Sequence, residues 1–257
     1  MFPSLTRTAL GLGLLCLAQL ATLHVPFASA LCANEKAIDA LLTANGQWAT
    51  EFQAQNPELA IEISQSQSPK ILWYSCMDSR FSPEIITKSN LGDLFVHRSI
   101  ANVVTMSDLS AMAGLEYAVN VLKVEHIVVS GHTKCGGIHA AMDDHPAGDH
   151  LEPWLSPTKR LHQLQLKGYT SDGKLQSQPL PADQQELDLN KFNIRNSLYQ
   201  LSQSGHVQAR WNNATAPPLS LHGLLLDIST RKLEKVLPSA GNATEAEQAY
   251  SIPTAAN

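Results

Sequence analysis

The order of apolar segments between residues 70 and 142 constrains the fold of this chain most strongly. Three short apolar runs, rich in β-branched and aromatic residues, predict strands within KILWYSC (70–76), GDLFVHRSIANVV (92–104) and VEHIVVSGH (124–132). Helical patterns separate or follow them in SPEIITKS (82–89), in the stretch from Ser107 to Lys123 and in CGGIHAAMDD (135–144). This alternation predicts right-handed crossovers and a mostly parallel sheet.

The rest of the chain extends this pattern to one α/β domain with a central sheet flanked by helices. Residues 34–60 have apolar side chains at helical spacing and predict an N-terminal helical arm, whereas residues 145–188 indicate surface loops with one helix. A helix is expected at 192–204, and a strand, a turn at Thr230–Arg231 and a short second strand within 217–236. We therefore predict a domain at 31–237 and a flexible tail at 238–257.

Residues 1–30 have the layout of a secretory signal peptide. Arg7 precedes an apolar stretch from Ala9 to Leu23, and a small-x-small site ends at Ala30. A retained membrane anchor is the alternative, although the apolar stretch is short for one. Cleavage after Ala30 would make the protein secreted, and Asn213 and Asn242 would then be possible N-glycosylation sites because each begins an Asn-x-Thr sequon.

The charge of the chain argues against polyanionic partners. Its 18 basic and 23 acidic residues give a formal net charge of −5, and no basic cluster interrupts the sequence. We therefore expect neither nucleic-acid binding nor attraction to an anionic membrane surface.

Chemically distinctive residues follow two of the predicted strands. Cys76, Asp78 and Arg80 alternate at the end of the first, and His132 and Cys135 form an H-x-x-C pair at the end of the third. Because parallel strands end at the same edge of a sheet, these residues are expected to lie close together. Two thiolates and one imidazole form a zinc ligand set with an open fourth position, which is typical of a catalytic site.

Two other interpretations remain open at this point. Cys76 and Cys135 could form a disulfide, which export would favour, and His132 could be an ordinary core histidine. Asp78 and Arg80 favour the metal site, because a disulfide needs neither an acid nor a base beside it. Cys32, near the predicted mature N-terminus, is either a disulfide partner or a free thiol.

The motifs CMDSR (76–80) and GHTKCGG (131–137) resemble the signatures of the β-class carbonic anhydrases. Further segments resemble that family in the same order, from about Gln67 to Lys235, and include GDLFVHRSIAN, HIVVSGH and LHGLLLDISTRKL. The resemblance implies one zinc per chain, held by Cys76, His132 and Cys135. It also implies that Asp78 and Arg80 form the catalytic dyad.

The same resemblance implies the reaction and the pocket. Zinc-bound hydroxide would hydrate carbon dioxide reversibly to bicarbonate and a proton, and the enzyme would be a carbonic anhydrase, a zinc lyase. Gln67, Phe95, Ile100 and Tyr117 match substrate-pocket positions, although ordinary packing could also explain them. Because the family's pocket lies at a subunit interface, a homodimer or a dimer of dimers is implied.

Three other functions are compatible with parts of the pattern. The same site could hydrolyse carbonyl sulfide or carbon disulfide. The chain could be a catalytically silent zinc- or bicarbonate-binding protein, which the presence of both Asp78 and Arg80 argues against. It could also be an interaction domain stabilised by a disulfide, and a zinc content near zero would favour that possibility.

Overall fold

The computed structural model describes residues 37–252, and these fall into two compact units divided after Ser66. The first unit contains helices α1 (Ala37–Gln55) and α2 (Pro57–Gln65). The rings of Trp48 and Phe52, one turn apart on α1, stack with centroids 5.2 Å apart. The helices predicted from the N-terminal apolar spacing are therefore confirmed, and they form a unit of their own. The predicted signal peptide and Cys32 lie outside the described residues.

The second unit is built on a mostly parallel five-stranded sheet, as the sequence predicted for this part of the chain. Strands β1, β2, β3 and β4 are parallel in the order β2-β1-β3-β4, and β5 adds antiparallel to β4 at the edge. The strand bounds are Ile71–Cys76 (β1), Leu94–Ser99 (β2), His126–His132 (β3), Ser220–Leu226 (β4) and Leu233–Lys235 (β5).

Helices pack around this sheet. They form in the segments where apolar residues recur about every 3.6 positions instead of at every second position. Their bounds are Pro83–Thr87 (α3), Leu109–Glu116 (α4), Gly136–Met142 (α5), Leu151–Leu166 (α6), Ala182–Ser202 (α7), Gly205–Trp211 (α8) and Ala243–Tyr250 (α9). A wider helical turn continues α4 over Tyr117–Leu122. Asp108 caps α4, because its carboxylate accepts hydrogen bonds from the backbone N–H groups of Ser110 and Ala111.

The described part of the C-terminal tail is ordered, so the prediction of a flexible tail from residue 238 is wrong there. Asn242 caps α9 by accepting a hydrogen bond from the Glu245 N–H at 2.9 Å. Tyr250 is fully buried, and its hydroxyl donates to the carbonyls of Leu221 and Pro238. Two buried side chains, Ala246 and Tyr250, attach the segment to the core. The polar composition of the segment did not indicate this attachment.

The region 145–188 is also more helical than its composition indicated. It contains α6, which continues through Pro157, and the first turns of α7. A proline inside a helix costs free energy, but α6 buries Leu155, Leu161 and Leu164, and this packing outweighs the local preference.

The core fixes the strand ends that carry the chemistry. One face of the sheet contributes Leu72 and Ile127 to the largest apolar cluster, and the other contributes Trp73 and Val128 to a smaller one. Because β1 and β3 pair in parallel with Ser75 opposite Ser130, Cys76 and His132 leave the sheet at the same edge. No helix within residues 37–252 is long and apolar enough to cross a membrane.

Candidate active site

The structure brings the three predicted zinc ligands together at the carboxyl edge of the sheet. One ligand atom each from Cys76, His132 and Cys135 lies within 4.8 Å of the others, and all three residues are buried. The two sulfur atoms are 3.9 Å apart and both cysteines are free, which contradicts the disulfide alternative. Two thiolates bound to zinc at about 2.3 Å with a tetrahedral angle lie about 3.8 Å apart, so the observed spacing fits a bound metal.

His132 is oriented for the same ligand role. Its Nδ1 lies 3.0 Å from the Thr133 carbonyl, and the tautomer that donates this hydrogen bond leaves a lone pair on Nε2. Nε2 is buried and has no hydrogen-bond partner among the described residues. A buried nitrogen without a partner is costly unless a ligand satisfies it, and zinc would do so. The interpretation of His132 as an ordinary core histidine does not explain this atom.

Hydrogen bonding between the two sulfur atoms lowers the pKa of Cys76 and raises the pKa of Cys135. A lowered pKa favours the thiolate form that binds zinc, and zinc binding would release a remaining thiol proton. This donor set fits zinc, because thiolate and imidazole are the ligands zinc prefers in proteins.

Asp78 and Arg80 form an ion pair beside this cluster. The Arg80 guanidinium donates to both carboxylate oxygens of Asp78, and these bonds hold the pKa of Asp78 well below its usual range. Asp78 Oδ2 is 3.8 Å from His132 Nε2, so the ionised carboxylate faces the space next to the metal position. The predicted dyad is therefore assembled in this chain.

The loop between His132 and Cys135 turns through Lys134, which has a positive φ of 56°. The Lys134 N–H donates to Glu186 Oε1 at 2.8 Å, and its carbonyl accepts from Arg80 Nη2 at 3.1 Å. These bonds hold a conformation that an L-residue adopts with difficulty. Gly137 is required nearby, because a Cβ there would lie 2.8 Å from the Ala101 Cβ.

Arg98 holds the loop that follows the ligand Cys76 at the end of β1. From β2 it donates through Nε to the Cys76 carbonyl at 3.0 Å and through Nη2 to the carbonyls of Asp78 at 2.7 Å and Phe81 at 2.6 Å. Sequence reasoning missed the roles of Arg98 and Glu186. The presence of an arginine within an apolar strand could have indicated the role of Arg98. The role of Glu186 had no such indication, because this residue lies in a region predicted as loop.

The predicted substrate residues are not all gathered at this site. Ile100 is close to it. Its Cγ2 lies 3.0 Å from the point that a Cβ would occupy at Gly137, which is two residues after the ligand Cys135. Phe95 and Tyr117 pack together with ring centroids 5.9 Å apart, but Phe95 is paired with Leu72, four residues before the end of β1. Four strand residues span about 13 Å. Gln67 is exposed in the segment before β1.

Comparisons with known proteins agree with this geometry. A family model described as carbonic anhydrase matches residues 71–233. A carbonic anhydrase of Emericella nidulans is 40% identical over 143 residues, which are 54% of this chain but only 62% of that relative's length.

Solved structures extend the similarity to most of the chain. A β-carbonic anhydrase of Coccomyxa, solved with acetazolamide, is 30% identical with a TM-score of 0.72, and the match covers 81% of this chain and 90% of the other. A tetrameric β-carbonic anhydrase of Sordaria macrospora is 29% identical with a TM-score of 0.70, covering 80% of this chain and 100% of the other. With the zinc-type ligand set and the adjacent Asp–Arg pair in place, this chain belongs to the β-class carbonic anhydrase family.

Proposed function

We propose that the protein is a zinc enzyme that hydrates carbon dioxide reversibly to bicarbonate and a proton. The observation that carries this proposal is the buried cluster of Cys76, His132 and Cys135 with the ionised Asp78 directly beside it. When bound, zinc lowers the pKa of a coordinated water from 15.7 toward about 7 and so supplies hydroxide near neutral pH.

The chain's own residues direct that reaction. Asp78 accepts a hydrogen bond from the attacking water and so orients the remaining lone pair of its oxygen toward the substrate carbon. Arg80 keeps Asp78 ionised and holds it in this position, which also keeps the carboxylate away from the metal. The apolar side chain of Ile100 suits an uncharged substrate such as carbon dioxide.

Stopped-flow carbon dioxide hydration and zinc content, measured on one purified sample, test this proposal. About one zinc per chain with fast hydration that a chelator abolishes supports it. One zinc without hydration contradicts it, and assays with carbonyl sulfide and carbon disulfide would then test the other substrates. Zinc content near zero would contradict the metal site itself.

The active form is a homodimer or a dimer of dimers. Phe95 lies too far back along β2 to reach the metal position of its own chain, and Tyr117 packs against Phe95, so both would line the pocket of a partner subunit. Tyr117 is 43% exposed and Ile100 is 38% exposed, as expected for apolar side chains that a second copy covers. Analytical ultracentrifugation tests this, and a monomer with full activity would contradict it.

The protein is secreted after removal of residues 1–30. The apolar stretch from Ala9 to Leu23 and the small-residue site at Ala30 support this proposal. Mass spectrometry of the protein recovered from the medium tests it, since the expected N-terminus is Leu31. A cell-associated protein that retains residues 1–30 would contradict it.

Export in a cell that glycosylates would modify Asn213 and Asn242. Both residues are exposed, and at Asn242 the carbonyl oxygen caps α9, so the amide nitrogen is available for the sugar. Digestion with a peptide N-glycosidase should change the mass of the secreted chain. Asn213→Gln and Asn242→Gln, made singly, assign the change to each site, and an unchanged mass would contradict the proposal.

A further inference from the structure

A pair of histidines lies at the end of the sheet opposite the candidate active site. His126 is the first residue of β3 and His222 is the third residue of β4, and their side chains lie on the same sheet face. His126 Nδ1 and His222 Nε2 are 3.1 Å apart, and the ring centroids are separated by 5.2 Å. Neither residue takes part in the chemistry described above.

This spacing is close to that of two imidazoles bound to one metal ion. Metal–nitrogen bonds of 2.0–2.1 Å at a tetrahedral angle place the two nitrogens about 3.3 Å apart. A hydrogen bond between the rings also explains 3.1 Å. The distance alone therefore does not distinguish the two arrangements, but it shows that a metal could enter with little movement.

The surroundings of His222 favour the tautomer that can bind a metal ion through Nε2. His222 Nδ1 is 2.7 Å from Ser239 Oγ, and the tautomer protonated on Nδ1 donates to this hydroxyl and leaves a lone pair on Nε2. Such a second hydrogen bond is the usual support of a metal-binding histidine. His126 is exposed, so its ring can carry its proton on Nε2, toward solvent, and turn the Nδ1 lone pair to the same point.

We propose that His126 and His222 form a second metal site, which binds a divalent transition-metal ion such as Zn²⁺ or Ni²⁺ with water in the remaining positions. Imidazole pairs suit these ions better than Mg²⁺ or Ca²⁺, which prefer oxygen ligands. The site is independent of the active site. His126 and His132 are six residues apart on one strand, which separates them by about 20 Å.

One nearby charge limits the affinity. Lys235 pairs with Leu224, two residues beyond His222 on the same face, so its ammonium group repels a cation there. The proposal therefore predicts that Lys235→Gln binds the metal more tightly than the wild type does. This change leaves both ligands and Ser239 in place.

Calorimetric titration with Ni²⁺ of the full chain loaded with one zinc per chain and freed of excess zinc, in a buffer that does not bind metal, tests the proposal. Zinc in the first site prevents Ni²⁺ from entering it. We expect one further ion per chain, no saturable binding in His126→Gln or His222→Gln, and about tenfold weaker binding in Ser239→Ala. His145→Gln is the matched control, because His145 is an exposed histidine paired with Asp143 in a loop.

Two results would overturn the proposal. Absence of binding in the wild type would show that the two rings only form a hydrogen bond. Unchanged binding in both histidine variants would place the ion elsewhere. Circular dichroism checks the folding of each variant, and His126→Gln keeps the test valid if His222→Gln is unstable, since His126 is exposed at a strand end. Carbon dioxide hydration should be the same in every variant, so a failed hydration assay has no bearing on this site.

Discussion

Arg80 holds the carboxylate of Asp78 through two parallel hydrogen bonds, from Nε to Oδ1 at 2.9 Å and from Nη2 to Oδ2 at 2.7 Å. The same Nη2 also donates to the Lys134 carbonyl at 3.1 Å. One guanidinium therefore connects the loop that follows Cys76 with the loop that precedes Cys135. The Asp78 carboxylate is therefore held in a fixed position relative to both Cys76 and Cys135.

Asp78→Asn should keep the zinc and lose most of the activity. The amide has the shape of the carboxylate but lacks its charge, so it orients the attacking water poorly. Loss of such a group costs about 10²-fold or more in kcat. Stopped-flow hydration together with zinc analysis checks this. Asp143→Asn is the control, because Asp143 is an exposed acid paired with His145. A near-normal rate in Asp78→Asn would remove Asp78 from the mechanism.

Arg80→Gln should release Asp78 from its two-point contact. The carboxylate lies 3.8 Å from His132 Nε2 and is then free to turn onto the metal and occupy the open position. We expect the variant to retain zinc but to lose activity, and a crystal structure to show Asp78 coordinated. Arg80→Lys should be intermediate, since a lysine keeps the charge without the two-point geometry. If Asp78 keeps its position in Arg80→Gln, the positioning role of Arg80 is wrong.

The elements around the site could be predicted because each has a local signal. β1, β3 and the start of α3 at Pro83 follow from β-branched runs and from a proline at a helix start. The meeting of Cys76 and His132 then follows from the parallel sheet alone. No contact between distant residues had to be known in advance.

The remaining features depend on contacts that have no local signal. Asn242 could indicate where α9 begins, but the attachment of α9 to the core through the bond from the Tyr250 hydroxyl to the Leu221 carbonyl could not be predicted, and α6 passes through Pro157 because its leucines are buried. The bond from Lys134 to Glu186 joins residues 52 positions apart, and only the folded chain reveals it. The distance of Phe95 from the metal position likewise depends on the strand register.

Arg98→Lys should destabilise the ligand loop after β1. A lysine can serve one of the three carbonyls that Arg98 now satisfies, and each partly buried carbonyl left without a donor costs about 1–3 kcal/mol. We expect the free energy of unfolding to fall by about 2 kcal/mol or more, and the zinc affinity to fall about 10- to 100-fold. Denaturant unfolding and competition with a chelator measure the two effects.

Arg160→Lys is the matched control for Arg98→Lys. Arg160 is exposed on α6 and its guanidinium makes no hydrogen bond or ion pair with other residues in the range 37–252, so its replacement should change neither quantity. Equal behaviour of the two variants would mean that the three carbonyls do not depend on Arg98.

Zinc removal should make the site sensitive to oxidation. The Cys76 and Cys135 sulfurs are 3.9 Å apart, and side-chain rotation can bring them within the 2.05 Å of a disulfide once no metal holds them. Chelator followed by diamide, which accepts the two electrons, should give a bridged chain that no longer takes up zinc. Peptide mapping identifies the bridge, and a reductant should restore zinc binding. The zinc-loaded chain should resist the same treatment, and equal oxidation of both forms would contradict the metal assignment.

Mixed oligomers test whether Phe95 and Tyr117 act across a subunit interface. Asp78→Asn disables the metal site of its own chain, whereas Tyr117→Ala should disable the pocket of its neighbour. In a dimer of the two variants, the metal site of the Tyr117→Ala chain would be paired with an intact Tyr117 from its partner, so about half of the wild-type activity should return. Each variant alone should remain slow. If Tyr117 instead acted within its own chain, no site in the mixed dimer would be complete and the rate would stay low.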